Sequence, residues 1–189
     1  MLMPRLLCLL LCVWQVLALT ALAAKPASGK PPNIILLVGD DWGFTDLGVY
    51  GSEIRTPHID ALVRRGMKFY NFHVAATCSP TRAMLLTGVD NHRNGLGAMR
   101  DLMPKEFRGT PGYLGNLGSD AITVARRLQD GGYHTYVAGK WHLGHSQETL
   151  PSQRGFERSF MKANSSSDNW EQRPWIFTEK GEWFEPHSP

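Results

Sequence analysis

An α/β domain with a largely parallel sheet is the fold class that this 189-residue chain predicts. Two observations carry that reading: apolar, branched runs alternate with segments of helical period, and Gly or Pro punctuates each change of pattern. A third observation is the position of the chemically loaded residues. Asp40-Asp41, Cys78 and Lys140 with His142 all fall just after predicted strands, where open α/β sheets gather their ligands.

Taken in order, residues 1–24 read as an export signal. Arg5 precedes the apolar run LLCLLLCVWQVLALTAL, and Ala21-Leu22-Ala23 offers the small residues a signal peptidase reads. KPASGKPP (25–32) follows as a polar linker, and residues 33–189 form the expected folded portion. Asn33 to Val38 (NIILLV) has the continuous apolar character of a strand buried on both faces. Thr56-Pro57 opens a helix through Ile59, Leu62 and Val63 to Gly66. MKFYNFHV (67–74) alternates as a second strand, and Ser79-Pro80 caps a second helix running to Gly88. Residues 89–118 are rich in Gly and Asn and read as loop. Ser119 or Asp120 caps a third helix carrying Ile122, Val124, Ala125 and Leu128 up to Gly131-Gly132. YHTYVA (133–138) reads as a strand, and from about Glu148 the periodicity fades.

Net charge is +3, from 20 Lys and Arg against 17 Asp and Glu, with no basic run. That balance does not point to nucleic acid. Nothing in the sequence speaks to oligomeric state. Beyond the export signal, which holds Cys8 and Cys12, Cys78 is the sole cysteine. The fold must therefore be held by packing, and an exported lone thiol is either inert or kept for chemistry.

A lone cysteine is ordinarily a small buried apolar residue. Cys78, however, stands beside a predicted helix N-terminus, where free N–H groups and the helix dipole favour negative charge. Arg82 lies one turn on and can lean back toward it. Adjacent carboxylates such as Asp40 and Asp41 either solvate a turn or share a hard divalent cation. GKWHLG (139–144) is not a phosphate loop, because the upstream glycine is missing and Trp141 replaces the metal-binding Ser or Thr. Lys140 and His142 instead project on one side of an extended segment, suited to a tetrahedral anion.

Cys78-Ser79-Pro80-Thr81-Arg82, followed by Leu86-Thr87-Gly88, resembles the C-x-P-x-R…LTG signature of type I sulfatases. PNIILLVGDDWGFTDLGVYG (32–51), TPHIDALVRRGMKF (56–69) and GYHTYVAGKWHLG (132–144) are similar to that family's other N-terminal blocks, in order. The resemblance implies an alkaline-phosphatase-like α/β fold, incomplete on its C-terminal side, and an arylsulfatase-type sulfuric ester hydrolase. By the same resemblance a maturation enzyme oxidises Cys78 to Cα-formylglycine. Asp40, Asp41 and residue 78 would ligate Ca²⁺, with Mg²⁺ as the alternative. One hydroxyl of the hydrated aldehyde attacks sulfur and the second expels sulfate; Arg82 stabilises the ionised diol, His142 hydrogen-bonds or deprotonates it, and Lys140 neutralises the sulfate oxygens.

The family's catalytic domain is considerably longer, and its Asp-Asn metal pair, leaving-group His and further Lys come later than His145. Asp168-Asn169 sits too early and follows no strand. The expectation is an N-terminal portion that does not complete the site by itself. Two alternatives stay open: a phosphohydrolase of the same superfamily, which would carry Ser or Thr at position 78 and normally use zinc, and a secreted remnant that only binds sulfated ligands. The expected substrate is an aryl or carbohydrate sulfate. The compartment would be periplasmic or extracellular in a bacterium, and lysosomal, ER or extracellular in a eukaryote, where Asn164-Ser165-Ser166 would be a glycosylation site.

Overall fold

The computed structural model of the chain describes residues 29–162, 176–179 and 182–184. The expected export signal, residues 25–28 of the linker, the Asn164 sequon and Asp168-Asn169 lie outside the described residues. The chain divides into two units, Met1–Gly39 and Asp40–Pro189. In the first, residues 30–39 are exposed and form neither helix nor strand. Among the described residues no helix is long and apolar enough to cross a membrane.

The second unit contains helices α1 (Pro57–Arg65), α2 (Cys78–Thr87) and α3 (Val124–Asp130) and strands β1 (Tyr136–Lys140), β2 (Arg158–Lys162), β3 (Ile176–Glu179) and β4 (Glu182–Phe184). The sheet runs in the order β1-β2-β3-β4. Its parallel pair is β1–β2, in register from Tyr136 opposite Arg158 to Lys140 opposite Lys162. β3 and β4 continue it antiparallel. Helices beside a sheet with a parallel pair place the unit in the α/β class.

Two expected strands do not form. Residues 33–38 and 67–74 carry no ladder, and Leu37, Phe69 and Phe72 are exposed. Hydropathy gives such runs a reason to be buried, but a strand is made by ladder partners, which an apolar run does not itself supply. Asp40 and Cys78 consequently do not follow strands, whereas Lys140 ends β1 and His142 comes just after it. β2, with Ser159 and Met161 buried and Phe160 exposed, lies where the periodicity fades.

The helices form nearly where expected, with shifted caps. In α1, Thr56 is the cap position and Pro57 the first helical residue. The Thr56 hydroxyl donates to Asp60 Oδ1 at 2.7 Å and accepts from Gly48 N at 2.9 Å, tying the start of α1 to the preceding turn. α2 begins at Cys78, with Thr77 rather than Ser79 at its cap. Pro80 is tolerated there because amides in the first turn have no intrahelical partner. α3 is capped by Thr123, whose Oγ1 accepts from Arg126 N at 3.2 Å, rather than by Ser119 or Asp120. Residues 89–118 hold two 3-10 turns and a Leu96–Tyr113 bridge within the expected loop.

The core lies between α2, the 94–117 segment and the end of β1: Ala83, Leu96, Leu117, Trp141, Leu143, Leu150 and Met161 are buried together. Trp141 packs edge-on against Phe156, and its indole N–H donates to Thr149 O at 2.9 Å. Full burial of side chains such as Leu143 and Met161 contributes about 2 kcal/mol each. Arg154 fastens the outer loops, donating to Leu117 O at 2.8 Å and Gly118 O at 3.1 Å. Leu117 N in turn donates to Leu143 O at 2.8 Å, which fixes the segment just after β1.

Gly155 ends the turn that carries Arg154, at φ 91°, and a β-carbon there would strike the backbone of Arg126. Gly155→Ala is expected to destabilise the fold by about 1–3 kcal/mol through the left-handed backbone and the contact together. Urea unfolding of both proteins checks this, as a lower midpoint at unchanged slope.

Candidate active site

The site is built where the start of α2 meets the end of β1. Trp141 points into the core, so Lys140 and His142, on either side of it in the chain, are directed elsewhere. His142 adopts φ 57°, a left-handed backbone that costs a non-glycine residue about 1–2 kcal/mol. The segment around it compensates: Trp141 N donates to Lys162 O at 2.9 Å, and Leu143 is fully buried.

The resulting geometry sets Cys78 Sγ 3.3 Å from His142 Nδ1. The thiol also donates to Met99 Sδ at 3.6 Å. His142 is buried, and its Nε2 has no hydrogen-bond partner. Ser79, also buried, leaves its hydroxyl unpartnered in the first turn of α2. Arg82 Nε donates to Trp141 O at 3.0 Å, and its terminal nitrogen donates to Lys140 O. One guanidinium therefore ties α2 to two successive carbonyls at the end of β1. Lys140 Nζ, largely buried, contacts Asp40 Oδ2 at 3.0 Å and Oδ1 at 3.2 Å.

The six residues singled out in the sequence are thus placed unequally. Cys78 and His142 touch, Arg82 spans from α2 to the β1 end, and Asp40 meets Lys140. Asp41 is exposed, at φ 57°, a backbone that Asp tolerates better than most residues. The Asp40 carboxylate faces the Lys140 ammonium, and among the described residues no group of three or more His, Cys, Asp and Glu assembles as a metal shell. Met99 was not legible in the sequence. It lies in the Gly- and Asn-rich stretch, and no motif marks it.

Electrostatics sets the imidazole apart from the guanidinium. Burial, reinforced by the Lys140 and Arg82 charges and opposed by Asp101 and Asp40, pushes the His142 pKa down to about 4. His142 is therefore neutral near pH 7 and able to accept a proton or donate one hydrogen bond. Burial also lowers the Arg82 pKa, opposed by Asp40 and Cys78, yet a guanidinium stays charged. The start of α2 and the end of β1 thus bring together a thiol, a neutral imidazole and two cations.

An α/β fold of this kind serves many functions, and comparison with known proteins narrows the choice. The Sulfatase family model matches residues 32–183. The chain is 42% identical over 153 residues to an uncharacterized sulfatase of Schizosaccharomyces pombe, covering 79% of this chain and 28% of that protein. It is 37% identical to an arylsulfatase of Klebsiella aerogenes (72% and 29% covered) and 42% identical to human arylsulfatase A (74% and 27%). Among solved structures it resembles Ps i-CgsB at 33% identity and a TM-score of 0.62, covering 72% of this chain and 29% of that one. The chain belongs to the type I sulfatase family, and its fold is part of the alkaline-phosphatase-like α/β domain. It spans less than a third of the length of these relatives.

The low pKa of His142 has a consequence for stability. Unfolded, the imidazole takes its proton near 6.5; folded, it stays neutral until about pH 4. Its contribution is therefore constant above about pH 7 and falls as the pH drops from 6.5 to 4, by up to about 3 kcal/mol. Urea midpoints measured against pH check this: His142→Gln is expected to flatten the fall over that window.

Proposed function

We propose that the chain is the N-terminal part of a sulfuric ester hydrolase of arylsulfatase type, with Cys78 as the precursor of a Cα-formylglycine made by a maturation enzyme. The observation that carries this is the placement of Cys78, within its C-x-P-x-R motif, at the first position of α2 and 3.3 Å from a neutral His142. An aryl or carbohydrate sulfate is the substrate class. The resemblance to arylsulfatases supports the first. A relative of this fold, Ps i-CgsB, solved in complex with k-i-k-neocarrahexaose, supports the second. Export through the secretory pathway follows from the N-terminal segment, whose charge and small-residue pattern support it.

Ca²⁺ or Mg²⁺ is the proposed metal. Asp40, Asp41 and the oxygen of a converted residue 78 would hold it, and their all-oxygen donor set fits a hard cation in kind. In placement the three do not yet fit: among the described residues Asp40, Asp41 and Cys78 are not gathered into one group, and Asp40 faces Lys140. When bound, the ion supplies positive charge at the sulfate oxygens and acidifies a nearby hydroxyl. The hydrated aldehyde at residue 78 supplies two hydroxyls, one for attack on sulfur and one for expulsion of sulfate.

The chain's own residues have simpler tasks. Lys140 Nζ, held against Asp40, presents a fixed positive charge to the anionic ester. His142 Nδ1 faces residue 78 and, being neutral, accepts or returns its proton. Arg82 positions both: its bonds to the Lys140 and Trp141 carbonyls set where that segment lies relative to α2, while its charge favours an oxyanion at residue 78.

Mass spectrometry tests the reading. When the chain is co-expressed with a formylglycine-generating enzyme, the peptide containing residue 78 is expected to lose the thiol and become lighter, and Cys78→Ser to abolish the change. A peptide that keeps its thiol mass, in cells that convert a known sulfatase, contradicts the assignment.

A further inference from the structure

The sulfatase reading uses residue 78 after conversion; before conversion the same position holds a different set of donors. Cys78 Sγ lies 3.3 Å from His142 Nδ1 and 3.6 Å from Met99 Sδ. A thiolate, an imidazole and a thioether are the soft and borderline ligands that favour Cu(I) over the hard cations. The separations agree with that chemistry. With metal–sulfur bonds of about 2.3 Å and a metal–nitrogen bond of about 2.0 Å, spacings of 3.3 and 3.6 Å each subtend about 100° at a shared ion. His142 is more than nine-tenths buried, and its Nε2 is unpartnered. The ring can therefore carry its proton on Nε2 without breaking another bond and offer the Nδ1 lone pair.

We infer that the unconverted chain holds one soft monovalent cation, Cu(I), between Cys78 Sγ, His142 Nδ1 and Met99 Sδ. Binding forms three metal–ligand bonds and sends the Cys78 proton to solvent; nothing is oxidised or reduced. Because an aldehyde carries no sulfur, conversion removes the anchor of this site. Residue 78 thus changes from a soft-metal ligand to an oxygen donor suited to a hard cation. This goes beyond the sulfatase reading and does not depend on it, since it concerns the cysteine form alone.

The test uses the full chain made without a maturation enzyme, with Cys8→Ser and Cys12→Ser so that Cys78 is the only thiol. Cu(I) is titrated anaerobically against a chromogenic Cu(I) chelator. One equivalent is expected to bind, with affinity reduced about tenfold or more by Met99→Leu, further by His142→Ala, and lost from competition with Cys78→Ser. X-ray absorption of the copper-loaded chain, which needs no further substitution, is expected to show two sulfur ligands and one nitrogen. Equal affinity in Met99→Leu and the unsubstituted chain, or a spectrum with a single sulfur, would mean that an ordinary thiol binds the ion and would overturn the inference.

Discussion

The reach of one guanidinium, from Arg82 on α2 to the Lys140 and Trp141 carbonyls, is the interaction on which the rest of the site depends. α2 and β1 are separated by almost 50 residues of turns and short helices, so chain connectivity alone does not align them. Arginine suits the task because its planar fork satisfies two carbonyls at once and stays charged when partly buried. Hydrogen bonds from a charged donor contribute about 1.5–3 kcal/mol each. That is comparable with burying a core leucine. Through this contact Cys78, four residues before Arg82, comes to lie against His142, two residues beyond Lys140.

The charges around that contact divide their labour by environment. Lys140 is held by Asp40, which keeps an ammonium in a largely buried place. His142 sits between cations and away from water, so it stays neutral where a solvated histidine would be partly charged. A buried neutral imidazole beside a strand-end lysine is costly in acid, and useful near neutrality. The left-handed backbone at His142 is a second local cost, offset by the packing of Trp141 and Leu143 on either side.

Much of this was legible in the sequence, because helices are local. Pro57, Gly66 and Gly88 marked the ends of α1 and α2, and the period of Ile59, Leu62 and Val63 marked the first of them. The C-x-P-x-R and GKWHLG blocks named Cys78, Arg82, Lys140 and His142 before any geometry was known. Strands were harder. NIILLV and MKFYNFHV have strand-like hydropathy and no ladder, whereas RSFMK, less apolar, forms β2 because it finds β1 alongside. The partners of the site were hardest to see. That Arg82 donates to carbonyls, that Lys140 meets Asp40 and that Met99 touches Cys78 are facts of long-range packing, with no local pattern to announce them.

The central claim, that Arg82 fixes the end of β1 against α2, is tested most directly by amide hydrogen exchange in Arg82→Lys. Lysine keeps the charge and loses the fork. The account predicts faster exchange at Trp141 N, which bonds Lys162 O, and at Leu117 N, which bonds Leu143 O, with α1 amides unchanged. Protection at Trp141 and Leu117 equal to that of the unsubstituted chain would show that the core alone holds this segment, and would contradict the account.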